Sequence, residues 1–158
     1  DKIRSKAALW ISDSNELLQL LGACWLLDGE QRGEAINLLK KLSRDSKHPI
    51  VGPFASAQLW RTMPPTDFVK RQLPSARSLR DSIFLPAQAG PSLLLAERCN
   101  RGSEPELALQ EWLRVVTIHS EQRALVNHAK KSAIDLLKST DRDEMVNQIE
   151  SLAGKILK

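Results

Sequence analysis

GPSLLLAERCNRGSEPELALQEWLRVVTIHSEQRALVNHAKKSAIDLL, residues Gly90–Leu137, is the stretch on which the reading of this chain turns. It reads as helix, tight turn, helix, tight turn, helix. Apolar residues recur at three- and four-residue intervals, the spacing that places them on one helical face. Ser103 and Glu106 have the separation of a capping box, with Pro105 in the first turn of the helix they open. The rest of the chain reads as weaker copies of this pattern.

Towards the N-terminus, residues 2–11 predict a short first helix. Asp13 and Glu16 again have capping-box spacing, so a second helix is expected from there to Asp28–Gly29. Its positions Leu17, Leu18, Leu20, Leu21, Ala23, Cys24, Leu26 and Leu27 cover most of the circumference, which calls for packing on more than one side. The third helix carries the stripe Ala35, Leu38, Leu39 and Leu42, with Lys40, Lys41 and Arg44 facing away. A fourth is expected over about 50–62, with Pro53 in its first turn and Pro64–Pro65 ending it. Thr66 is the expected N-cap of the next helix, and Pro74 breaks or kinks it. A short helical piece, 75–84, then leads through the loop Leu85–Pro91 to the opening stretch. Beyond that stretch, Asp141 and Glu144 give a third capping box. Met145, Ile149, Leu152 and Ile156 mark an amphipathic last helix over 142–157.

The strongest internal signal is a repeat. Comparing Leu26–Pro49 with Arg98–Glu121, shifted by one residue, matches Ala35 to Ala108, Leu39 to Trp112 and Leu42 to Val115. The offset is 73 residues (108 − 35), or two units of about 36. An intervening unit carries Ala57, Trp60, Val69 and Leu73. A following one carries Ala133, Leu136, Met145, Ile149 and Leu152. On these residues the chain resembles the tetratricopeptide-repeat family, over about residues 14–157. In that motif a small residue lets two helices approach and a large one fills the groove to the next. The small residues here are Ala23, Ala57, Ala96 and Ala133 in first helices, and Ala35 and Ala108 in second helices. The large ones are Leu39, Leu73, Trp112 and Ile149. Val69 and Met145 depart from the small position, and Pro49 is the recognisable proline at a unit end. The resemblance implies one all-α domain over 1–158, a right-handed array of antiparallel helix hairpins with nine or ten helices. Its units fall at 14–48, 49–83, 89–120 and 121–157.

Composition agrees with a helical domain. The chain has 158 residues, 42% of them hydrophobic, and no tyrosine. It opens on Asp1 rather than Met, which predicts a processed chain or a piece of a longer one. No run approaches the roughly 20 apolar residues of a membrane span, and the first ten residues have no signal-peptide centre. The compartment stays open, with the cytoplasm favoured. The net charge of +4 is scattered in three places: Lys40, Lys41, Arg44 and Lys47; Lys70, Arg71, Arg77 and Arg80; and Lys130 and Lys131. Nucleic-acid binding through the last two groups is therefore the remote reading, since stacking aromatics are not interleaved with them. Cys24 and Cys99 each sit in an apolar helical run, where a free thiol behaves as a small hydrophobe.

The residues that carry chemistry are sparse. His48, His119 and His128 are the only histidines, and no Cys or His lies one helical turn from another, so no metal site is expected. Ser75 and Ser78 lack a nucleophile elbow. Neither a P-loop nor a dinucleotide fingerprint is present, so no cofactor is expected. Asp141, Asp143 and Glu144 fit the start of a helix, where negative charge complements the macrodipole. Trp60 and Trp112 fall on core positions of the repeat, and Trp10 and Trp25 sit among apolar neighbours. A partner pocket would need one of the four exposed.

What remains is a groove. First helices of stacked hairpins line the concave side of such arrays, which points to Gln58, Arg61, Glu97, Asn100, Asn127, Lys130 and Lys131. In some members of the family, Lys and Asn on these faces grip a terminal carboxylate. Asn127 and Lys130 match only part of that set, so that ligand is not assigned. The expectation is a protein-interaction or scaffolding module without catalysis, its partner a protein or peptide. The alternative is an accessory helical domain of a larger enzyme or membrane-tethered assembly.

Overall fold

The structure, a computed structural model, describes the backbone of residues 2–156 and the side chains of residues 2–150. Among these residues there are ten α-helices and no strand, so the fold is all-α. Leu152 and Ile156, named above as part of the last apolar stripe, lie outside the described side chains. The chain forms two compact units, Asp1–Met63 and Pro64–Lys158. The division falls at Pro64–Pro65, inside the segment 49–83 read as one repeat. Two consecutive prolines remove two backbone donors and bias the residue before each away from helix.

The first unit contains α1 (Lys2–Trp10), α2 (Glu16–Leu26), α3 (Arg32–Asp45) and α4 (Val51–Leu59), followed by a 3-10 turn at Trp60–Thr62. Each helix packs on the next, and α2 also touches α4. Ala23, Leu26, Leu27, Ala35, Leu39, Leu42, Val51 and Ala55 form the core. Asn15, not Asp13, caps α2: its side chain accepts from Leu17 N–H at 2.9 Å. Asp13 instead accepts from Asn15 N–H at 2.8 Å, so the acid organises the turn and the amide caps the helix. Gly22 is where α2 meets α1. A Cβ there would lie 2.7 Å from the Ala7 carbonyl oxygen, so only glycine permits that approach.

The second unit contains α5 (Pro65–Arg71), α6 (Leu73–Ser82), a 3-10 turn at Leu85–Ala87, α7 (Ala89–Arg101), α8 (Pro105–Ile118), α9 (Arg123–Ser139) and α10 (Asp143–Ile156). The helix breaks before Pro74, which lies in the first turn of α6. Thr66 lies inside α5, which starts one residue earlier with Pro64 at the cap position. Successive helices α7 to α10 pack in pairs, α7 also touches α9, and α5 and α6 pack on α7. Ala96, Ala108, Trp112, Val115, Ala133 and Ile149 are all buried.

The turns of this unit correct two expected caps. Ser103 and Asp141 do not cap the helices that follow them; no side-chain cap bond forms at α8. Both adopt the left-handed conformation, φ 62° and 54°. Each closes the preceding helix: Glu104 N–H bonds the Cys99 carbonyl at 2.9 Å, and Arg142 N–H bonds that of Leu137 at 3.0 Å. These are the six-to-one bonds of a Schellman turn. The two hairpins α7–α8 and α9–α10 are thus joined by the same three-residue connection. Before the first of them, Gly102 lets α7 close on α5, where a Cβ would meet Val69 Cγ2 at 2.7 Å and the Pro65 carbonyl oxygen at 3.1 Å.

Arg77 and Arg80, counted above with the surface bases, belong to an internal ion network. Glu111 of α8 accepts from Arg77 Nε at 2.8 Å and from Arg80 Nη1. Arg80 and Glu111 are both buried. Arg80 also pairs with Asp81 at 2.9 Å, and its hydrogen bond holds that carboxyl below its ordinary value. Arg114 reaches the Gln88 side chain at 3.0 Å. The network ties α6 to α8 and takes Arg80 off the surface.

A polar depression between α7 and α9

In the second unit, α7 and α9 leave an open depression of about 420 Å³. From α7 come Glu97, Asn100 and Arg101; from α9 come His128, Ser132, Asp135, Leu136 and Ser139. The helical spacing explains both sets. Positions 97, 100 and 101 share a face, as do 128, 132, 135 and 139, at steps of four, three and four. The buried stripe Ala129, Ala133 and Leu137 turns the other side of α9 into the core.

Glu97 Oε1 and His128 Nε2 are 3.3 Å apart and bridge the two helices. The side chains of Asn100, Arg101, Ser132 and Asp135 make no hydrogen bond with other described residues. Trp112 of α8 also lines the depression. Its buried indole N–H has no acceptor among the described residues, a state that buried donors seldom keep. The site thus offers donors and acceptors side by side, with two carboxylates, a guanidinium and an imidazole.

The seven groove residues expected from the repeat do not share this place. Glu97 and Asn100 line it. Asn127, Lys130 and Lys131 are on α9 outside the lining set, with Asn127 and Lys131 exposed and Lys130 half-buried. Gln58 and Arg61 belong to the first unit. There Arg61 is held by Asp28, by the Gln58 side chain at 3.0 Å and by the Cys24 carbonyl at 3.3 Å. Arg101, His128, Ser132, Asp135 and Ser139 line the depression without being among those seven. Their signal was the polar stripe on α9, one position ahead of its alanine stripe.

Burial also shifts two thiols and an imidazole of the chain. Burial pushes both free thiols, Cys24 and Cys99, up to about 11, so neither is a ready thiolate at neutral pH. His119 is fully buried, and neither ring nitrogen has a partner among the described residues. Desolvation holds its pKa below the ordinary imidazole value. The unfolded chain therefore binds a proton that the folded chain does not, as pH falls below about 6.5. The neutral ring's contribution is complete above that pH and is lost as pH drops towards the folded-state value. We expect urea unfolding between pH 7.5 and 5.5 to show a loss of stability, at most about 1.4 kcal/mol per pH unit from this one proton. His119→Leu should reduce that slope; an identical slope in the variant would place the titration elsewhere.

Among the described residues no three His, Cys, Asp or Glu side chains converge on a common metal position, and no helix is long and apolar enough to cross a membrane. Comparison with protein-family models, with curated proteins and with solved structures gives no match to this chain.

Proposed function

We propose that the chain is a non-catalytic protein-interaction module of tetratricopeptide-like design, and that its second unit binds an extended segment of a partner protein in the depression between α7 and α9. The observation that carries this reading is the depression's open polar lining: Asn100, Arg101, Ser132 and Asp135 are presented together to solvent, with no side-chain hydrogen bond to other described residues. A peptide main chain supplies alternating acceptors and donors, the complement such a surface needs. Two further features support the array. The α7–α8 and α9–α10 hairpins share one Schellman connection, and α7 packs on both α8 and α9, as stacked hairpins require.

The test is selection of binding peptides from a random library against the intact chain, followed by titration with two variants. Asn100→Ala with Asp135→Ala should weaken the selected peptides about tenfold or more. Lys130→Glu, on the same helix but outside the lining, should leave both affinity and melting temperature nearly unchanged. Peptides that bind the double variant as tightly as the parent would remove the depression from the function.

A further inference from the structure

The connection from α8 to α9, residues 119–122, closes over one imidazole. His119 is the C-cap of α8, and its side chain has no exposed surface. Its backbone N–H ends the helix on the Val115 carbonyl at 3.1 Å, and its own carbonyl accepts from Gln122 N–H at 2.9 Å. The Gln122 side chain in turn donates to the Pro86 carbonyl, in the 3-10 turn before α7. Three hydrogen bonds thus hold the connection shut with the ring inside.

The surroundings of the ring suit only its neutral form. Neither ring nitrogen has a hydrogen-bond partner among the described residues. Burial is the largest influence on it; Glu121 of the connection favours a proton there, and Arg114 of α8 and Arg80 of α6 oppose one. Glu121 is exposed. The acids of the nearby ion network, Asp81 and Glu111, are bound to guanidiniums of their own. The segment 85–96, which holds the 3-10 turn and the first part of α7, carries no ionisable side chain. α9 opens on Arg123, a further cation, which is exposed. A proton on the buried ring therefore adds a charge and a second N–H with no acceptor beside it.

Opening the connection is the least costly relief. Helix ends and the turns beside them open at lower free energy than helix interiors, and here only the bonds just named have to break. Once outside, an imidazolium at the C-terminus of α8 meets the carbonyls of the last turn, a favourable place for a cation. The proton is thus disfavoured with the ring inside and favoured with it outside.

From the burial of this ring at a helix end, we infer that His119 is a proton-operated latch. Neutral, it keeps residues 119–122 closed on the second unit. Protonated, it leaves the interior and the connection opens, while α8 and α9 stay folded on either side. Acid is the opening signal, because below about pH 6.5 the open form takes up a proton that the closed form does not. The loss of stability expected above follows from that proton by any route; the latch says where the structure gives way. Because α9 forms one wall of the depression, opening would act on that site. That consequence rests on the proposed function, whereas the latch itself does not.

The test is amide hydrogen exchange of the intact chain at pH 7.5 and 5.5, expressed as protection factors so that the pH dependence of exchange itself is removed. Protection over 119–122 should fall, by no more than about tenfold per pH unit for one proton, while protection over 107–116 and 129–137 stays as at pH 7.5. His119→Leu should abolish the fall. His128→Gln, which removes an exposed imidazole on α9, should keep it. Should His119→Leu prove unfolded, the ring resonances of His119 in the parent decide: they should titrate with the same midpoint as the loss of protection. A ring that titrates while the connection stays protected overturns the latch. So does a fall spread evenly over 105–139, which would be unfolding of the unit as a whole. An equal fall in His119→Leu, or no fall by pH 5.5, overturns it as well.

Discussion

Ala108→Glu is expected to unfold the second unit. Ala108 has no exposed surface and lies on α8, which packs on both α7 and α9. A carboxylate there would be taken out of water between packed helices. Burying an unpaired charge costs several kcal/mol, and mutations of this kind form the severe tail of about 4 kcal/mol or more. Domains of this size hold only about 5–15 kcal/mol in total. Because the chain forms two units, the readout should be local. Amide hydrogen exchange over 89–118 should lose most of its protection, while exchange over 16–59 reports on the first unit separately. Unchanged protection over 89–118 would mean that α8 is not packed on both sides.

The second large effect is expected at Glu111. Its carboxylate holds Arg77 and the buried Arg80 at once. Glu111→Ala leaves Arg80 with Asp81, which is half-exposed, and leaves a buried guanidinium short of charge. Removing one partner of a buried pair costs about 3–5 kcal/mol; the surviving Asp81 contact points to the low end of that range. Replacing the pair together, Arg80→Met with Glu111→Leu, should recover most of the loss, because the desolvation of both charges disappears with them. Urea denaturation of the single and double variants measures both. A Glu111→Ala variant within about 0.5 kcal/mol of the parent, the range of ordinary surface substitutions, would show that the network contributes little.

Glu111 also shows where reading the chain alone stops. Arg77 and Arg80 look like surface bases because their neighbours in sequence are polar and charged. The acid that neutralises them is 31 residues away from Arg80, and helical spacing carries no information about a partner so distant. The caps misread for the same reason. Ser103-x-x-Glu106 and Asp141-x-x-Glu144 have capping-box spacing, but each turn must first end the preceding helix, and the three-residue connection uses Ser103 and Asp141 for that. Of the depression's lining, Glu97 and Asn100 were legible, because they follow from the face opposite the α7 core. On α9 the choice fell on Asn127, Lys130 and Lys131, whereas α7 lies beside His128, Ser132 and Asp135.

Apolar periodicity and the proline breaks determined the helices and their approximate ends, and the resemblance to the repeat marked the alanines at 23, 35, 57, 96, 108 and 133, all of them buried. The helices follow from local geometry, since a 3.6-residue turn and the loss of donors at proline act within a few positions. Only the tertiary structure decided that the chain divides at Pro64, that Arg80 is buried against Glu111, that Trp25 is the tryptophan left exposed, and which face of α9 borders the depression. Each of these depends on how far one helix is rotated against another. A sequence shows that α2 is apolar all round; which of its sides is covered is set by the packing of α1, α3 and α4 around it.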